Sequence, residues 1–460
     1  MARNAKYDVL VIGGGQAGIP LAYGLANAGR RMGLAERKHL GGSCVNFGCI
    51  PTKAAIASGR VAHLARRGAE FGLKISTVEV DFPAVLKRAK DIVIDLRRSL
   101  EQGFENSENP CLLRGHARVE GRDENGFRVR IGHGAVTAGE IVIDTGTRSL
   151  IPAIEGLDGI DFIDAENWIE RTELPERLAI IGGGYIGLEM SQLYRRMGSA
   201  VTVIEESDQI TGHEDKDIAE DLKRLLEAEA VEFCLNTQVR RADRKEKGIR
   251  LTLEGSDGTA DIEASHLFVA AGRKPNTDDL GLETIGVKVS SKGIVEANKR
   301  LATNVEGVWV AGDIRGGPMF THTSWDDYRI LMSQMVGDGS RTTDRIVPYA
   351  IFTDPELGRV GMTEREARAA GKQIKIARFE MRKNGKARDL GDSEGFIKVI
   401  IDAETGCILG ATVLATEAAE LVHLYVELMN AGAPYTVMRD AIHIHPTLAE
   451  ALQSAVSLFG

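Results

Sequence analysis

Residues 9–18, Val9-Leu10-Val11-Ile12-Gly13-Gly14-Gly15-Gln16-Ala17-Gly18, join a run of apolar residues to a glycine-rich turn. The apolar run predicts a buried strand, and the residues after the turn predict a helix. A second predicted strand follows and leads to Glu36. This order is typical of a dinucleotide-binding unit. Its glycines, here Gly13, Gly15 and Gly18, allow a tight turn and close approach of a pyrophosphate, and its acidic residue accepts hydrogen bonds from ribose hydroxyls.

The same pattern occurs again at Leu178-Ala179-Ile180-Ile181-Gly182-Gly183-Gly184-Tyr185-Ile186-Gly187. The next apolar strand leads to Glu205, which lies 23 positions after Gly182, the spacing that also separates Glu36 from Gly13. A turn that binds nothing is an alternative for either copy alone. Two copies with one internal spacing favour two dinucleotides and two Rossmann-like domains. The glycines of the second site are then Gly182, Gly184 and Gly187.

Two cysteines, Cys44 and Cys49, follow the first unit in Gly41-Gly42-Ser43-Cys44-Val45-Asn46-Phe47-Gly48-Cys49-Ile50-Pro51-Thr52-Lys53. On a straight helix, residues i and i+5 lie roughly 8.6 Å apart, beyond the ~7 Å that a disulfide bridges. The chain must therefore bend if the sulfurs are to meet, and Gly48 supplies the freedom. A strained pair is easily reduced, so we predict a redox-active disulfide. The alternatives are a zinc half-site near His39 and two inert core thiols.

The composition is that of an ordinary globular protein. The 460 residues, 43% hydrophobic and 27% charged, are too many for one core and suggest about three domains. With a net charge of −9 and no basic cluster, we expect no nucleic-acid or anionic membrane partner. No apolar run approaches the ~18 residues that span a bilayer. The other three cysteines are scattered and form no secreted disulfide framework, so we expect a cytoplasmic protein.

The rest of the chain predicts the elements that complete these units. Asp81 and Pro83 begin a long amphipathic helix, and a strand-rich stretch at 111–143 leads to Asp144-Thr145-Gly146. After the second unit, an apolar strand ends at Asp313, at the edge where open α/β sheets bind ligands. From Pro348 onward, alternating strands and two helices, at about residues 363–370 and 415–431, predict an α+β domain.

Together, these features resemble the class I pyridine nucleotide-disulfide oxidoreductases, the family of dihydrolipoyl dehydrogenase, glutathione reductase and mercuric reductase. The resemblance covers essentially the whole chain. It implies an α/β fold with two Rossmann-like dinucleotide-binding domains, one for FAD and one for NAD, and a C-terminal α+β dimerisation domain. It also implies a homodimer whose active site is shared between subunits. The implied domains are residues 1–149 and 273–345 for FAD, 150–272 for NAD and 346–460 for dimerisation.

The resemblance further implies roles for residues near the cysteines. Cys49 is the thiol beside the flavin, and Cys44 is the thiol that attacks the substrate. Lys53 lies near the reactive edge of the flavin and pairs with Glu189, for which a first-turn carboxylate that only complements the helix dipole is the alternative. The other implied FAD contacts are Gly42, Ser43, Ala117, Thr145, Gly146, Asp313 and His322.

The second unit is expected to hold the nicotinamide cofactor. Glu205 can accept from the adenosine ribose hydroxyls, and Glu206 and Asp208 add negative charge where a 2′-phosphate would sit. Because no arginine or lysine occurs between residues 201 and 213, we expect NADH to be preferred to NADPH. Gly272, after a later apolar strand, is assigned to the same site.

A histidine near the C-terminus, in His443-Ile444-His445-Pro446-Thr447-Leu448-Ala449-Glu450, resembles the family's His-Pro-Thr-x-x-Glu. A thiolate nucleophile needs a base, and imidazole suits that task. The resemblance implies that His445 serves Cys44 across the dimer interface while Glu450 orients the ring. The alternative is that Thr447 and Glu450 form only a helix capping box and that His445 is an ordinary surface residue.

The predicted function is electron transfer between NADH, FAD and a thiol, disulfide or thiophilic metal substrate through Cys44 and Cys49. The sequence around the cysteines and at residues 317–329 looks most like that of mercuric-reductase-like flavoproteins. True mercuric reductases carry a C-terminal cysteine pair, whereas the last cysteine here is Cys407. One alternative is dihydrolipoyl dehydrogenase, which oxidises dihydrolipoamide with NAD. An alternative of another class is a non-catalytic flavin-binding interaction module. We predict no resident metal.

Overall fold

The first glycine-rich turn follows the central strand of a seven-stranded sheet. A computed structural model describes residues 5–256 and 258–460, so the first four residues of the predicted FAD segment lie outside it. The strands of this sheet are β1 (Lys6–Ile12), β2 (Met32–Glu36), β3 (Cys111–Arg114), β4 (Ala117–Asp123), β5 (Gly126–Ile131), β6 (Gly134–Ile143) and β17 (Val308–Val310). Their order is β3-β2-β1-β6-β5-β4, and β17 pairs with β6.

Strand β1 is buried on both faces, which explains its continuous apolar run. It pairs in parallel with β2 and with β6. Val9 and Val11 pack on one face with the helical layer, while Leu10 and Ile12 pack on the other with the antiparallel strands β4 and β5. Parallel strands covered on both faces lose the alternation of polar and apolar residues.

Four helices belong to the first part of the chain: α1 (Gly18–Asn27), α2 (Gly42–Asn46), α3 (Cys49–Arg66) and α4 (Phe82–Glu105). The predicted start of α4 is confirmed, because the Asp81 carboxylate accepts a hydrogen bond from Ala84 N at 3.0 Å and Pro83 lies in the first turn. Within the described residues, no helix is long and apolar enough to cross a membrane.

The second glycine-rich turn lies in a separate sheet whose pairings are all parallel. Its strand order is β11-β10-β9-β15-β8, with β8 (Ile163–Asp164), β9 (Arg177–Ile181), β10 (Ala200–Ile204), β11 (Val231–Cys234) and β15 (His266–Val269). Its helices are α5 (Tyr185–Met197) and α6 (Lys216–Ala228). An antiparallel three-stranded sheet is formed by β12 (Gln238–Lys245), β13 (Gly248–Gly255) and β14 (Gly258–Ala264).

A short antiparallel pair marks where the chain leaves the first sheet and where it comes back. Its strands are β7 (Thr147–Ser149) and β16 (Arg273–Pro275). After β16 the chain returns to the first sheet through β17, which pairs in parallel with β6, and it continues into α7 (Thr321–Val336). The second unit is therefore an insertion into the first. Short 3₁₀ turns occur at Gly68–Phe71, Leu157–Gly159, Trp168–Glu170, Leu282–Ile285, Gly312–Arg315 and Met381–Lys383.

The last part of the chain is an antiparallel sheet with helices, which confirms the predicted α+β class. Its order is β18-β19-β22-β21-β20, with β18 (Tyr349–Ile351), β19 (Glu356–Gly361), β20 (Ile374–Glu380), β21 (Phe396–Asp402) and β22 (Ile408–Ala415). Its helices are α8 (Glu364–Ala369), α9 (Gly385–Asp389), α10 (Ala418–Leu421), α11 (His423–Asn430), α12 (Thr436–Arg439) and α13 (Glu450–Ser457).

The predicted helix at 415–431 is wrong at its start and in its continuity. Ala415 is the last residue of β22, where it pairs with Glu356. Glu417 then takes a left-handed conformation (φ 60°), and two short helices, α10 and α11, follow. The periodicity of a short apolar run does not distinguish a buried helix from a buried strand. The change of chain direction at Glu417 has no sequence signature.

Candidate active site

A cavity of about 1110 Å³ extends along the first glycine turn, past both cysteines, to the start of α7. It is lined by residues of all three parts of the chain, including Tyr185 of α5 and His423 of α11. Most of the residues assigned to FAD or to the cysteine site line it: Gly13, Gly15, Glu36, Gly42, Ser43, Cys44, Cys49, Lys53, Ala117, Thr145, Gly146, Glu189, Asp313 and His322. The fold thus brings these residues together from distant positions in the sequence.

The two glycine turns have the same internal geometry. Gly13 (φ 112°) and Gly182 (φ 109°) have conformations that other residues rarely adopt, and a Cβ at either would lie within 2.4 Å of a carbonyl oxygen of a neighbouring strand end. The Glu36 carboxylate accepts from Gly14 N at 2.8 Å and from Lys38 N at 2.7 Å. The Glu205 carboxylate does the same with Gly183 N at 2.7 Å and Ser207 N at 2.9 Å.

This geometry fits a dinucleotide at each turn. The first turn leads into the N-terminus of α1 and the second into that of α5, and the N-terminus of a helix favours a pyrophosphate. At Gly146, a Cβ would meet nothing within 4 Å, so the backbone there is open to the cavity. Glycine is required at position 18, because a Cβ there would lie 2.2 Å from Gly13 O in the first turn.

The predicted bend between the cysteines occurs at Gly48. Helix α2 ends at Asn46 and α3 begins at Cys49, and Gly48 N donates to Ser43 O at 2.7 Å. A Cβ at Gly48 would lie 2.9 Å from that same oxygen, so glycine permits the close turn. The Trp168 indole donates to Phe47 O at 2.8 Å and holds the bend from the second unit.

Neither cysteine forms a disulfide in this structure, and the pKa values of the two thiols are shifted in opposite directions. A hydrogen bond from Cys44 lowers the pKa of Cys49 to about 6, and the charge of Lys53 and a hydrogen bond with Thr321 act in the same direction. The hydrogen bond with Cys49, together with burial, raises the pKa of Cys44. These opposite shifts favour ionisation of Cys49, which is exposed to the cavity, over ionisation of Cys44.

An ion pair lies behind Cys49. Lys53 Nζ is 2.7 Å from Glu189 Oε2, and Glu189 is only 5% exposed. The other oxygen of Glu189 accepts from Phe352 N at 3.0 Å, and Lys53 Nζ lies 4.5 Å from the centroid of the Phe352 ring. The structure thus brings Lys53 and Glu189 together, the pairing that the family resemblance implies.

Polar residues at the far side of the cavity are fixed by neighbours. The Asp313 carboxylate accepts from the Thr147 hydroxyl at 3.2 Å, and burial raises its pKa. His322 Nε2 donates to Pro348 O at 2.7 Å, and burial lowers the pKa of its ring. The Thr145 hydroxyl donates to Asn276 O at 2.9 Å. These contacts fix the rim of the cavity without filling it.

The residues assigned to the second nucleotide do not line this cavity. Gly182, Gly184, Gly187 and Glu205 lie at the second turn, and Gly272 accepts a hydrogen bond from Leu150 N at 3.0 Å. The two sites approach one another through α5, since its first residues, Tyr185 and Ile186, do line the cavity.

His445 and Glu450 lie outside the cavity of their own chain. His445 Nδ1 donates to Glu450 Oε1 at 3.0 Å, and the histidine side chain is 77% exposed. Glu450 Oε2 accepts from Thr447 N at 2.8 Å, and the Thr447 hydroxyl accepts from Glu450 N at 3.3 Å. A hydrogen bond from Thr447 N, followed by the contact with His445, lowers the pKa of Glu450. Glu450 thus forms a reciprocal hydrogen-bond pair with Thr447 at the start of α13 and contacts the imidazole at the same time.

Sequence reasoning missed several residues of the site. The Thr321 hydroxyl lies 3.2 Å from Cys49 Sγ, and Phe320 stacks between His322 and Tyr349, with ring centroids 5.3 Å apart in both pairs. Phe352 contacts Lys53, as described above. These partners are far apart along the chain, so no local pattern connects them. Across 5–256 and 258–460, no group of three His, Cys, Asp or Glu side chains could hold a metal ion.

The fold and the site define a flavin- and nicotinamide-dependent disulfide oxidoreductase. The chain belongs to the pyridine nucleotide-disulphide oxidoreductases, whose family model matches residues 7–327. The dimerisation domain of the same family matches residues 347–456 and supports a homodimer. The chain is therefore an oxidoreductase whose cofactors are FAD and NAD(H).

Named relatives match over nearly the whole chain. A probable pyridine nucleotide-disulfide oxidoreductase, RclA of Escherichia coli K12, is 34% identical, with 98% of this chain and 99% of RclA covered. A dihydrolipoyl dehydrogenase of Cupriavidus necator is 32% identical, with 98% of each chain covered. The solved Cu(II) complex of HOCl-induced flavoprotein disulfide reductase RclA from Escherichia coli superposes with a TM-score of 0.90 at 33% identity, covering 99% of this chain and 100% of that one.

Proposed function

We propose that the protein transfers electrons from NADH, through FAD and the Cys44–Cys49 pair, to a disulfide or a thiophilic metal ion. One observation carries this proposal: Cys44 and Cys49 lie on either side of the bend between α2 and α3, and both line the same dinucleotide-sized cavity as the first glycine turn. When bound, FAD supplies two-electron exchange between NADH and the cysteine pair. The polypeptide supplies the positions, charges and proton transfers around it.

The cysteines carry the exchange with the substrate. Cys44 passes its proton to His445 of the partner subunit and attacks one sulfur of a substrate disulfide. A bond forms from Cys44 to that sulfur, the substrate S–S bond breaks, and the released thiolate takes the proton back. Cys49 then attacks Cys44 Sγ, so that the Cys44–Cys49 bond forms and the second substrate thiolate leaves. The pair has lost two electrons, which NADH replaces.

The nicotinamide preference rests on the second turn. Glu205 already accepts two backbone hydrogen bonds, and its carboxylate retains lone pairs for ribose hydroxyls. A 2′-phosphate would bring its charge against this carboxylate and its acidic neighbours Glu206 and Asp208. We therefore assign NADH as the preferred donor.

The oxidant is proposed only as a class. The relative solved as a Cu(II) complex supports a thiophilic metal ion as one candidate. The His445–Glu450 hydrogen bond and the named dihydrolipoyl dehydrogenases favour a second function, oxidation of dihydrolipoamide by NAD. In that direction the same thiol exchange runs in reverse.

Anaerobic titration with NADH tests the central claim. A Cys49 thiolate beside oxidised FAD should give a long-wavelength charge-transfer band that Cys49→Ser lacks and Cys44→Ser retains. Bleaching of the flavin in one two-electron step, with no such band, would contradict the disulfide mechanism. Parallel turnover with lipoamide, glutathione disulfide, Hg(II) and Cu(II), using NADH and NADPH, then selects the oxidant. Activity with dihydrolipoamide and NAD alone would favour the second function.

A further inference from the structure

Thr321, the first residue of α7, places its hydroxyl 3.2 Å from Cys49 Sγ across 272 positions of sequence. The sequence gives no role to this side chain, and the exchange steps above do not use it. The position of the Thr321 side chain is constrained, because contacts hold the residues on either side of it in place. Phe320 stacks between two rings, and His322 donates to Pro348 O at 2.7 Å.

The thiolate of Cys49 has two nearby hydrogen-bond donors. One of them is lost during the thiol exchange, and the other remains. The first is the Cys44 thiol, which lowers the pKa of Cys49 most strongly. The second is the Thr321 hydroxyl. Once Cys44 has formed a bond to a substrate sulfur it no longer carries a proton, so the first donor is lost at the stage where Cys49 must act as a nucleophile.

We propose that Thr321 is the donor that keeps Cys49 ionised while Cys44 is bonded to the substrate. The inference rests on the proposed function and adds one catalytic residue to it. The Thr321 O–H donates to the Cys49 sulfur, and no bond to Thr321 forms or breaks. When Cys49 closes the disulfide, its negative charge leaves with the substrate thiolate, and the hydrogen bond weakens. The hydroxyl therefore favours the thiolate forms of the pair over the closed disulfide.

Two features of the surroundings support a donor at this place. Lys53 adds positive charge but is itself paired with Glu189, whose charge raises the pKa of Cys49. Thr321 is also the first residue of α7, and the N-terminus of a helix favours negative charge. The hydroxyl is the group among these that directly contacts the sulfur.

Cys44→Ala imitates the stage at which the Cys44 proton is absent. In this holoenzyme variant, the pH midpoint of the charge-transfer band reports the ionisation of Cys49 without NADH and without turnover. We expect Cys44→Ala/Thr321→Val to have a midpoint about one pH unit higher than Cys44→Ala, as loss of one donor to a charged group implies. Cys44→Ala/Thr321→Ser should restore the lower midpoint, because serine keeps the hydroxyl.

A matched control uses Thr52, whose hydroxyl donates to Gly48 O at 2.8 Å one turn from the cysteine. Cys44→Ala/Thr52→Val should leave the midpoint unchanged. Equal midpoints for Cys44→Ala and Cys44→Ala/Thr321→Val would overturn the inference, as would failure of serine to restore the midpoint.

The rate of Cys49 alkylation by iodoacetamide against pH gives the same midpoint independently of the flavin. If the band is missing but the alkylation midpoints differ as expected, the placement of Cys49 beside the flavin fails while the role of Thr321 stands. If the band is present but neither midpoint moves, the role of Thr321 fails alone.

Discussion

Lys53 Nζ lies 2.7 Å from Glu189 Oε2, so an ion pair joins the cysteine helix α3 to the nucleotide helix α5. The Glu189 side chain is 6% exposed and that of Lys53 is 31% exposed. The charge near Cys49 is thus set by a pair of opposite sign, and the two members act on the sulfur in opposite directions.

Substitutions in this pair should move the ionisation of Cys49 oppositely. Lys53→Met removes a positive charge and should raise the pKa of Cys49 by about one unit. Glu189→Gln removes a negative charge, keeps an acceptor for Phe352 N, and should lower that pKa. The pH midpoint of the charge-transfer band in each reduced variant measures both shifts. Movement of the two midpoints in the same direction would contradict this assignment of charge.

The reduced protein should keep its thiolate down to mildly acidic pH. The pKa of Cys49 is lowered to about 6, so the thiolate form dominates above that pH and is protonated as pH falls through it. The charge-transfer band of the NADH-reduced protein should therefore be constant between neutral and alkaline pH and fade near pH 6. A band that fades instead near the ordinary thiol range of about 8.5 would show that Cys44 and Thr321 do not stabilise the thiolate.

The two acidic residues of the glycine turns provide a matched pair. Glu36 and Glu205 each accept two backbone hydrogen bonds in the same arrangement. Glu36→Gln should weaken FAD retention and leave the KM for NADH in the FAD-loaded protein unchanged. Glu205→Gln should do the reverse, raising that KM about 10-fold or more, since a hydrogen bond to a charged group is lost. FAD content from absorbance and steady-state kinetics separate the two outcomes.

The control for these variants is thermal stability, because both carboxylates also hold their turns. A similar loss of stability in both, with different cofactor effects, supports the assignment of one nucleotide to each turn. Loss of FAD from Glu205→Gln, together with a raised KM for NADH in a Glu36→Gln protein that keeps its FAD, would reverse the assignment.

Much of the fold follows from local patterns in the sequence. The glycine turns, the bend at Gly48 and the start of α4 at Asp81 each depend on backbone constraints that a few neighbouring residues impose, so spacing alone predicts them. The fold class follows from the duplicated unit and the family resemblance. The domain boundaries and the roles of individual site residues remain predictions.

Other features depend on contacts that no local pattern encodes. The contact of Thr321 with Cys49 and the stacking of Phe320 on Tyr349 join residues from different elements. The break near Glu417 has no local signature, because the last residues of β22, Val413, Leu414 and Ala415, are apolar and also suit a buried helix. The sequence alone offers a capping box and orientation of His445 as alternatives for Glu450, whereas its two carboxylate oxygens contact Thr447 N and His445 Nδ1 separately.

The exposed position of His445 leads to a test of the shared active site. His445→Gln should lower turnover with the oxidant by about 10²- to 10⁴-fold, as loss of a general base does, while NADH still produces the charge-transfer band. Cys44→Ser should be inactive with the oxidant for a different reason. If each site takes Cys44 from one subunit and His445 from the other, a dimer of one chain of each variant has one doubly defective site and one intact site.

Reassorting equal amounts of the two variants should then restore about one quarter of the wild-type activity, since half of the dimers are hybrids and each has one intact site. If instead His445 served the cysteines of its own chain, every site in every dimer would carry a defect and mixing would restore nothing.

Glu450→Gln separates the two contacts of the Glu450 carboxylate. It retains an oxygen that can accept from Thr447 N and should leave stability nearly unchanged, but it removes the negative charge beside the imidazole and should lower turnover. A variant that lost stability but not turnover would reduce Glu450 to a helix cap.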